Sequence, residues 1–202
     1  MDRKQSAKTK TGLATGIKNS LAYIKTFVDD KGVAAVMPSS RYLVGRTLRA
    51  MNFKHAHRII EYGAAAGVMT RKILEEMPKS AKLLSIELNS DFYEKLKSIE
   101  SDSRMSLYHG DVRCIDLIAK EHGFSMGEVD VIVSGIPFAF LSREERTELL
   151  TKTSALLKPG GRFVAYQVTT HLIPILKNHF REVKTQLEIR NIPPHFVFTA
   201  IK

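Results

Sequence analysis

Two different spacings of apolar residues divide this chain of 202 residues. Near its start, apolar residues recur every three or four positions, which is the spacing of one helical face. These residues are Leu13, Ile17, Leu21, Ile24 and Val28. Lys18 and Lys25 lie mainly off that face. The pattern predicts a basic amphipathic helix, which can pack against its own domain or lie in a membrane interface.

A second helix is predicted from about Ser40 to Met51. Ser39 and Ser40 follow Pro38, and serine is a favoured N-cap residue. We assign residues 1–55 to a basic helical extension and residues 56–202 to the main domain.

From residue 58 onward, short apolar runs alternate with helix-like segments. Strands are predicted at residues 58–62, 82–88, 105–109, 129–134 and 161–168. Helices are predicted at residues 68–77, 90–99 and 142–157, with another that ends near residue 120. Residues 131–133 and 163–165 are apolar at every position, as in strands buried on both faces. Five strands separated by helices predict a parallel sheet with right-handed crossovers.

The C-terminal part follows a different pattern. Residues 183–190 and 196–201 resemble strands, and only the turn at 191–194 separates them. This turn is too short for a helix, so the two segments form an antiparallel pair. The predicted fold class is therefore α/β, a Rossmann-like doubly wound sheet of five parallel strands with a C-terminal antiparallel hairpin.

Charge adds a candidate partner to this picture. The formal net charge is +10, and residues 1–28 contain six Lys or Arg against Asp2 alone. This asymmetry predicts an anionic partner, either a membrane leaflet or nucleic acid, although a merely solvated basic segment is the alternative. No apolar run approaches the roughly 20 residues that span a bilayer, and the start lacks a secretion signal. We expect a cytoplasmic protein, and the single Cys114 excludes an intrachain disulfide or a multi-cysteine metal site.

The loops after the first two strands contain candidate cofactor-binding residues. Ligands of open α/β sheets bind outside the carboxyl ends of the strands. Residues 61–67 form a small-residue turn that resembles the Glu-x-Gly-x-Gly-x-Gly pattern of methyltransferases, with Ala65 in place of the middle glycine. Such a turn lets backbone approach a ligand, although a turn without a ligand looks similar. Glu87 ends the second strand, where a carboxylate can accept hydrogen bonds from ribose hydroxyls.

The third and fourth loops add an adenine site and an acceptor site. Asp111 follows the third strand, where the methyltransferase pattern holds the adenine amino group; a helix N-cap is the alternative. Residues 134–138 read Ser-Gly-Ile-Pro-Phe and lie where amine-methylating enzymes bind their acceptor. The similar motif of rRNA adenine dimethylases, Asn-x-Pro-aromatic, has a planar amide that is missing here, which argues against a nucleobase substrate.

Together these motifs resemble the bacterial phospholipid N-methyltransferases, which are class I enzymes similar to rRNA adenine dimethylases. The resemblance runs from about Phe27 to the C-terminus. It rests on residues 33–41, 61–67, 134–137, 157–163 and 191–194. After the fifth strand this chain reads Tyr166-Gln-Val-Thr-Thr170, where the lipid enzymes tend to read Phe-Thr-Tyr-Gly-Pro. The acceptor pocket is therefore predicted to be partly remodelled.

This resemblance implies S-adenosylmethionine as the cofactor and no metal ion. The cofactor-binding residues that it implies are Ser40, Glu61, Gly63, Ala65, Gly67, Glu87, Leu88, Gly110, Asp111, Val112 and Ser134. The predicted acceptor and catalytic residues are Ser134, Gly135, Ile136, Pro137, Tyr166 and His109. Because a protonated amine cannot attack a methyl group, a proton acceptor is useful, and His109, Tyr166 and His195 are candidates.

The function implied is N-methylation of a membrane phospholipid amine, such as that of phosphatidylethanolamine, at the inner face of the membrane. One alternative is an RNA adenine N6-methyltransferase, favoured by the sequence pI of 9.7. Against it stand the missing Asn and the lack of residues after the last strand for the extra helical domain of rRNA dimethylases. A further alternative is a non-catalytic module that binds lipid or RNA.

Overall fold

The computed structural model describes residues 39–202. The basic segment 1–28 and its predicted amphipathic helix lie outside these residues. The strands of the described part are β1 (Arg58–Tyr62), β2 (Lys82–Glu87), β3 (Met105–His109), β4 (Val129–Ser134), β5 (Leu157–Gln167), β6 (Glu182–Glu188) and β7 (His195–Ile201). The helices are α1 (Arg41–Met51), α2 (Val68–Glu76), α3 (Ser90–Leu96), α4 (Ile115–Glu121), α5 (Arg143–Leu156) and α6 (Ile173–His179).

All seven strands form one sheet in the order β3-β2-β1-β4-β5-β7-β6. Strands β1 to β5 are parallel to one another, and β7 runs antiparallel to both β5 and β6. The predicted Rossmann-like class, with five parallel strands and an antiparallel hairpin, is confirmed. The strand order reverses between β1 and β4, so a crevice opens at their carboxyl ends.

Apolar residues cover both faces of the sheet. Ile60 and Phe163 face a core formed with α4, α5 and α6. Ile59 and Val164 face a second core, formed with α1, α2 and α3. The strands that appeared continuously apolar in the sequence are therefore buried on both sides.

Helix α1 packs against the sheet. It begins after Ser40, whose hydroxyl accepts a 3.2 Å hydrogen bond from the Leu43 N–H. Leu43, Leu48 and Met51 are buried, and the helix packs against β5 and β7. The serine cap and the helix end predicted from the sequence agree with this structure. Within residues 39–202, no helix is long and apolar enough to cross a bilayer.

Two elements differ from the sequence prediction. Strand β5 begins at Leu157, four residues before its predicted start, because Leu157 pairs with Val129 ahead of a register shift. Gly160, with φ of 76°, allows the chain to bulge there. Helix α6 has only seven residues and Pro near its start, so its pattern is too short to recognise by period.

Candidate active site at the carboxyl edge of the sheet

The loop after β1 depends on left-handed backbone at three positions. The φ angles of Gly63, Ala65 and Gly67 are 74°, 47° and 76°. A Cβ atom on Gly63 would lie 2.8 Å from Ile136 Cγ2, and one on Gly67 would lie 2.6 Å from Ile99 Cδ1. Both glycines are therefore required by close approach as well as by φ. Ala65 is exposed, and its left-handed φ is one that glycine, the residue of the methyltransferase pattern at this position, adopts readily.

Glu87 joins this loop to the end of β2. Its Oε2 accepts a 2.8 Å hydrogen bond from the Ala65 N–H, and its Oε1 accepts one of 2.8 Å from the Asn89 N–H. The side chain is buried, and this burial raises the pKa of Glu87. The Leu88 backbone also donates to this carboxylate. Because a carboxylate can accept about four hydrogen bonds, capacity remains for the predicted ribose contact.

Glu61 lies beneath the same loop. The hydroxyls of Ser85 and Thr70 donate hydrogen bonds to its Oε2 at 2.7 and 2.8 Å. Burial raises the pKa of Glu61 to about 7. A positively charged ligand near this carboxyl would favour its ionised form.

The loop after β3 uses its acidic residue as a cap. Asp111 Oδ1 accepts a 2.9 Å hydrogen bond from the Arg113 N–H at the start of a 3₁₀ helix, Val112–Cys114. Its Oδ2 is paired with the Arg113 guanidinium. This is the capping role that the sequence left as an alternative. Contact of Asp111 with adenine stays a prediction.

Three further predicted cofactor residues surround this loop. The Gly110 N–H donates a 3.0 Å hydrogen bond to the carbonyl of Glu87, which holds the second and third loops together. Val112 is buried, and Leu88 is half-buried. Their predicted contacts with the cofactor stay predictions.

The loop after β4 presents a buried hydroxyl. Ser134 ends the strand, and its Oγ is buried without a hydrogen-bond partner among residues 39–202. A Cβ on Gly135 would lie 2.3 Å from the Tyr166 hydroxyl oxygen. The structure therefore places Tyr166 directly against the backbone of the predicted acceptor loop.

Gln167, at the end of β5, forms hydrogen bonds with the loop after β4. Its Nε2 donates hydrogen bonds of 2.8 Å to the carbonyls of Ile136 and Tyr166. Its Oε1 accepts a 3.2 Å hydrogen bond from the Phe138 N–H. Pro137, between these contacts, is exposed. Two of the three hydrogen bonds of the Gln167 amide, those with Ile136 and Phe138, thus hold the loop backbone.

The two predicted proton acceptors on β5 and β7 are neighbours. The rings of Tyr166 and His195 have their centroids 6.4 Å apart. Burial and the nearby Glu61 raise the pKa of Tyr166, while a hydrogen bond with Ser39 opposes the rise. Tyr166 is therefore a neutral phenol near pH 7. The His195 Nδ1 lies 2.8 Å from the carbonyl oxygen of Pro193.

His109 does not lie near Tyr166, His195 or the loop after β4. Its ring stacks on Tyr93 with a centroid distance of 4.7 Å, and its Nε2 lies 3.2 Å from the Leu88 carbonyl oxygen. Two strands separate β3 from β4, which at about 4.8 Å per strand places His109 roughly 14 Å from the Ser134 loop.

The N-cap of α1 meets the hairpin turn. The Ser40 N–H donates a 2.8 Å hydrogen bond to Asn191 Oδ1. The Asn191 Nδ2 lies 2.9 Å from the carbonyl oxygen of Pro193. Ser40 and Asn191, which belong to two distant segments of the family resemblance, are therefore in contact beside His195. The Ser40 hydroxyl caps the helix, and its predicted contact with the cofactor stays a prediction.

Gln167 and Asn191 are the functional candidates that the sequence analysis did not assign. Gln167 lies within the segment that departs from the lipid-enzyme pattern, and a carboxamide at the end of an apolar strand is a recognisable signal. Asn191 lies in a segment used for the resemblance, but its bond to Ser40 joins residues too far apart in sequence to be inferred.

The crevice fits a positively charged cofactor that carries a ribose. Two buried carboxyl groups, of Glu61 and Glu87, lie at its β1 and β2 side. The turn after β1 exposes Ala65 and Ala66, and the buried Ser134 hydroxyl has no hydrogen-bond partner among residues 39–202. Residues 39–202 contain no cluster of His, Cys, Asp and Glu suited to a metal ion.

Comparisons with known proteins agree with this geometry. Residues 59–161 match a family model described as a methyltransferase domain. The chain is 27% identical over 176 residues to ornithine lipid N-methyltransferase from Singulisphaera acidiphila, covering 84% of this chain and 88% of that protein. It is 29% identical over 97 residues to ribosomal RNA small subunit methyltransferase A from Crocosphaera subtropica, covering 47% of this chain and 35% of that protein.

A solved structure shares the fold. This is an S-adenosylmethionine-dependent O-methyltransferase from Thermotoga maritima, with a TM-score of 0.58 and 18% identity. The match covers 88% of this chain and 70% of that one. At this identity the likeness extends to the fold alone.

Proposed function

We propose that this chain, which belongs to the methyltransferase domain family, methylates the amine of a membrane lipid. The chain is an enzyme that uses S-adenosylmethionine as its methyl donor. The observation that carries the lipid proposal is the similarity to ornithine lipid N-methyltransferase, which spans 84% of this chain and 88% of that protein. Phosphatidylethanolamine and ornithine lipid both present an aliphatic amine, so we propose that chemical group as the acceptor.

The side chains around the loop after β4 favour an aliphatic amine as the methyl acceptor. The Ser134–Gly135 position lacks the side-chain amide that would pair with a flat nucleobase. Gln167, the nearby carboxamide, uses its donors on the carbonyls of Ile136 and Tyr166. The Ser134 and Tyr166 hydroxyl oxygens are suited to accept hydrogen bonds from amine N–H groups, which need direction but no planar partner.

In this proposal the protein acts mainly by positioning its two substrates. S-adenosylmethionine supplies an electrophilic methyl group on a sulfonium sulfur. The carboxylates of Glu61 and Glu87 offset positive charge in the crevice, while the β4 loop aligns the amine for direct attack. Since its pKa is raised, Tyr166 keeps its proton near pH 7 and orients the amine through its oxygen. His195, beside it, is the group proposed to receive a proton.

A lipid acceptor requires the enzyme to work at a membrane surface. The six Lys and Arg residues of segment 1–28 support attraction to an anionic leaflet. We propose peripheral association with the inner face of the membrane on this basis.

The direct test offers competing acceptors to the enzyme. The purified full chain is incubated with methyl-labelled S-adenosylmethionine and, separately, with phosphatidylethanolamine vesicles, ornithine lipid vesicles and ribosomal RNA. We expect label in the amine headgroup of at least one lipid, and none when Gly63→Val replaces the wild type. Label in RNA alone would contradict the lipid proposal.

RNA adenine N6-methylation is the second candidate. It is favoured by the similarity to ribosomal RNA small subunit methyltransferase A, although that similarity covers 47% of this chain. In the same experiment, recovery of labelled N6-methyladenine after digestion of the RNA would support this second candidate.

A further inference from the structure

Large aliphatic side chains are exposed together near the acceptor site. The exposed fractions are 47% for Val168, 47% for Leu187, 69% for Ile189 and 73% for Ile192. Single exposed aliphatic residues are ordinary on protein surfaces, but a group of them marks an interaction site. We call residues 187–194, at the β6–β7 turn, the hairpin tip.

The hairpin tip lies at the same end of the sheet as the acceptor loop. Phe196 on β7 is paired with Gln167 on β5 and with Leu187 on β6. Strand β5 is in turn parallel to β4, with Ala165 opposite Ser134. The tip therefore projects beyond the carboxyl ends of β4 and β5, beside the predicted acceptor pocket.

Cationic side chains border the hairpin tip. Arg190 and Arg41 are exposed, and their guanidinium carbons lie 4.2 and 4.8 Å from the ring centroid of Tyr42. The buried Glu188 pairs with both Arg190 and Arg46. Its single negative charge does not balance the three positive charges of Arg41, Arg46 and Arg190, so these four side chains together are positively charged.

The one acidic residue of the hairpin tip is Glu188, which is buried and paired with Arg190 and Arg46. The acceptor side is formed by four segments that contain no Asp or Glu, namely residues 39–42, 134–141, 166–172 and 189–196. The loops after β1, β2 and β3 carry Glu61, Glu87 and Asp111. An anionic surface would therefore be attracted to the acceptor half, where Arg41 and Arg190 are exposed.

We infer that the hairpin tip inserts into the interface of an anionic membrane, with Ile189 and Ile192 among the acyl chains and Arg41 and Arg190 at the phosphates. This contact would hold the Ser134 loop against the lipid headgroups and leave the cofactor half open to water. The inference rests on the proposed lipid acceptor. The combination of exposed aliphatic residues with cations is the composition of a membrane-interface surface.

A second copy of this chain is the competing occupant. Strand β6 is an edge strand, and edge strands can pair between molecules. Exposed Lys184, Thr185 and Gln186 on that strand make it polar along most of its length, which disfavours such pairing. The like charges of Arg41 and Arg190 would also be brought together in a symmetric pair.

The absence of tryptophan from the sequence gives a direct test. In the full chain, Ile189→Trp introduces a single fluorescent reporter at the hairpin tip, and Leu117→Trp, on α4 and 67% exposed, is the matched control. With vesicles of phosphatidylglycerol and phosphatidylcholine, we expect a blue shift for Ile189→Trp and none for Leu117→Trp. Pure phosphatidylcholine vesicles should produce a smaller shift at the tip.

Two results would overturn the inference. One is an unshifted Ile189→Trp spectrum in samples where the protein sediments with the anionic vesicles. The other is a blue shift that needs no vesicles and grows with protein concentration, together with a dimer in analytical ultracentrifugation, because a second copy would then occupy the tip.

A loss-of-contact variant separates this inference from the proposed function. Ile189→Ser combined with Ile192→Ser should weaken vesicle binding by about tenfold or more, as expected when two buried aliphatic side chains are lost. Leu117→Ser with Met126→Ser is the control and should bind as the wild type does. Unchanged vesicle affinity of the tip variant would contradict the inference.

The two proposals fail in different ways. Methylation of a water-soluble, short-chain amine lipid should be the same in the tip variant and the wild type, because that acceptor needs no membrane. If the wild type methylates this acceptor but Ile189→Trp shows no insertion, only the membrane contact is wrong. If the wild type methylates no amine lipid, the proposed function is wrong and the inference falls with it.

Discussion

The backbone N–H of Ala65 donates a 2.8 Å hydrogen bond to Oε2 of Glu87, and this bond joins the loops that follow β1 and β2. The left-handed φ of 47° at Ala65 is part of the loop geometry that directs the N–H toward the carboxylate. The glycine turn and the ribose-binding candidate are therefore one connected unit, and a change in either should affect cofactor binding.

Glu87→Ala is expected to weaken S-adenosylmethionine binding by about 1–3 kcal/mol, since hydrogen bonds to a charged group are lost and the Ala65 N–H is left without its acceptor. Isothermal titration calorimetry measures the change. Glu94→Ala is the control, because Glu94 is exposed and pairs only with Lys97 in this region. An unchanged dissociation constant in a folded Glu87→Ala protein would contradict the ribose assignment.

Ala65→Gly should stabilise the protein by about 0.5–1 kcal/mol. Left-handed backbone costs a residue with a Cβ about 1–2 kcal/mol, and glycine removes this cost. Glycine also makes the unfolded chain more flexible, which offsets roughly half of the gain. Ala64→Gly, one residue earlier and buried without a positive φ, should instead destabilise. Urea unfolding of both variants tests the contrast, and equal losses would show that Ala65 carries no backbone strain.

Gly63→Ala should cost more stability than Gly123→Ala, although both glycines have φ of 74°. A Cβ at position 123 meets no atom within 4 Å, whereas one at position 63 meets Ile136 Cγ2 at 2.8 Å. We expect about 1–2 kcal/mol for the backbone change alone and about 1–3 kcal/mol more from the clash at Gly63. Chemical unfolding gives both values, and Gly63→Ala should also lose cofactor affinity. Similar losses of stability at the two positions would contradict the packing of the β1 loop on the β4 loop.

Glu61→Gln should stabilise the protein increasingly as pH rises. The pKa of Glu61 is raised from 4.5 to about 7 in the folded state, so folding favours the protonated carboxyl. The wild type therefore loses stability as pH rises from about 4.5, the pKa of Glu61 in the unfolded chain, through about 7, its pKa in the folded protein. The glutamine side chain does not titrate, so the variant has no such loss. The stability of the variant relative to the wild type should increase by about 2 kcal/mol from about pH 5.5 to about pH 8. Urea unfolding at both pH values measures this difference, and a pH-independent difference would refute it.

Gln167→Met should lower the methyl-transfer kcat by about tenfold or more while the S-adenosylmethionine dissociation constant stays the same. The substitution removes the hydrogen bonds that hold Ile136 and Phe138, and a small misplacement of the acceptor is costly. Gln186→Met, on the exposed side of β6, is the control. An unchanged kcat would show that Gln167 does not position the loop, and a parallel loss of cofactor affinity would indicate a wider structural defect.

The periodic part of the fold could be predicted from the sequence, because buried strands and helix caps leave local signals. Ser40 and Ser142 are predicted and observed at helix starts, and Ser142 forms a capping box with Glu145. The start of β5 was missed because its pairing of Leu157 with Val129 depends on a neighbouring strand.

The site was predictable only as a set of loops. The strand order brings their ends together, so Gly63, Glu87 and Ser134 could be expected at one edge of the sheet. The distance of His109 from the predicted acceptor loop depends on the tertiary structure, and so do the hydrogen bonds of Gln167 to that loop. Neither can be read from the local sequence. Tyr166 lies against Gly135 because glycine leaves room for its ring, which no spacing in the sequence reveals.

The bond between Ser40 and Asn191 joins residues 151 positions apart. Contacts so distant in sequence carry a large loop-closure cost and slow folding. During synthesis from the N-terminus, the predicted cofactor residues from Glu61 to Val112 emerge well before Asn191 and His195. The predicted cofactor side of the crevice is therefore synthesised before the residues of β7 that line its predicted acceptor side.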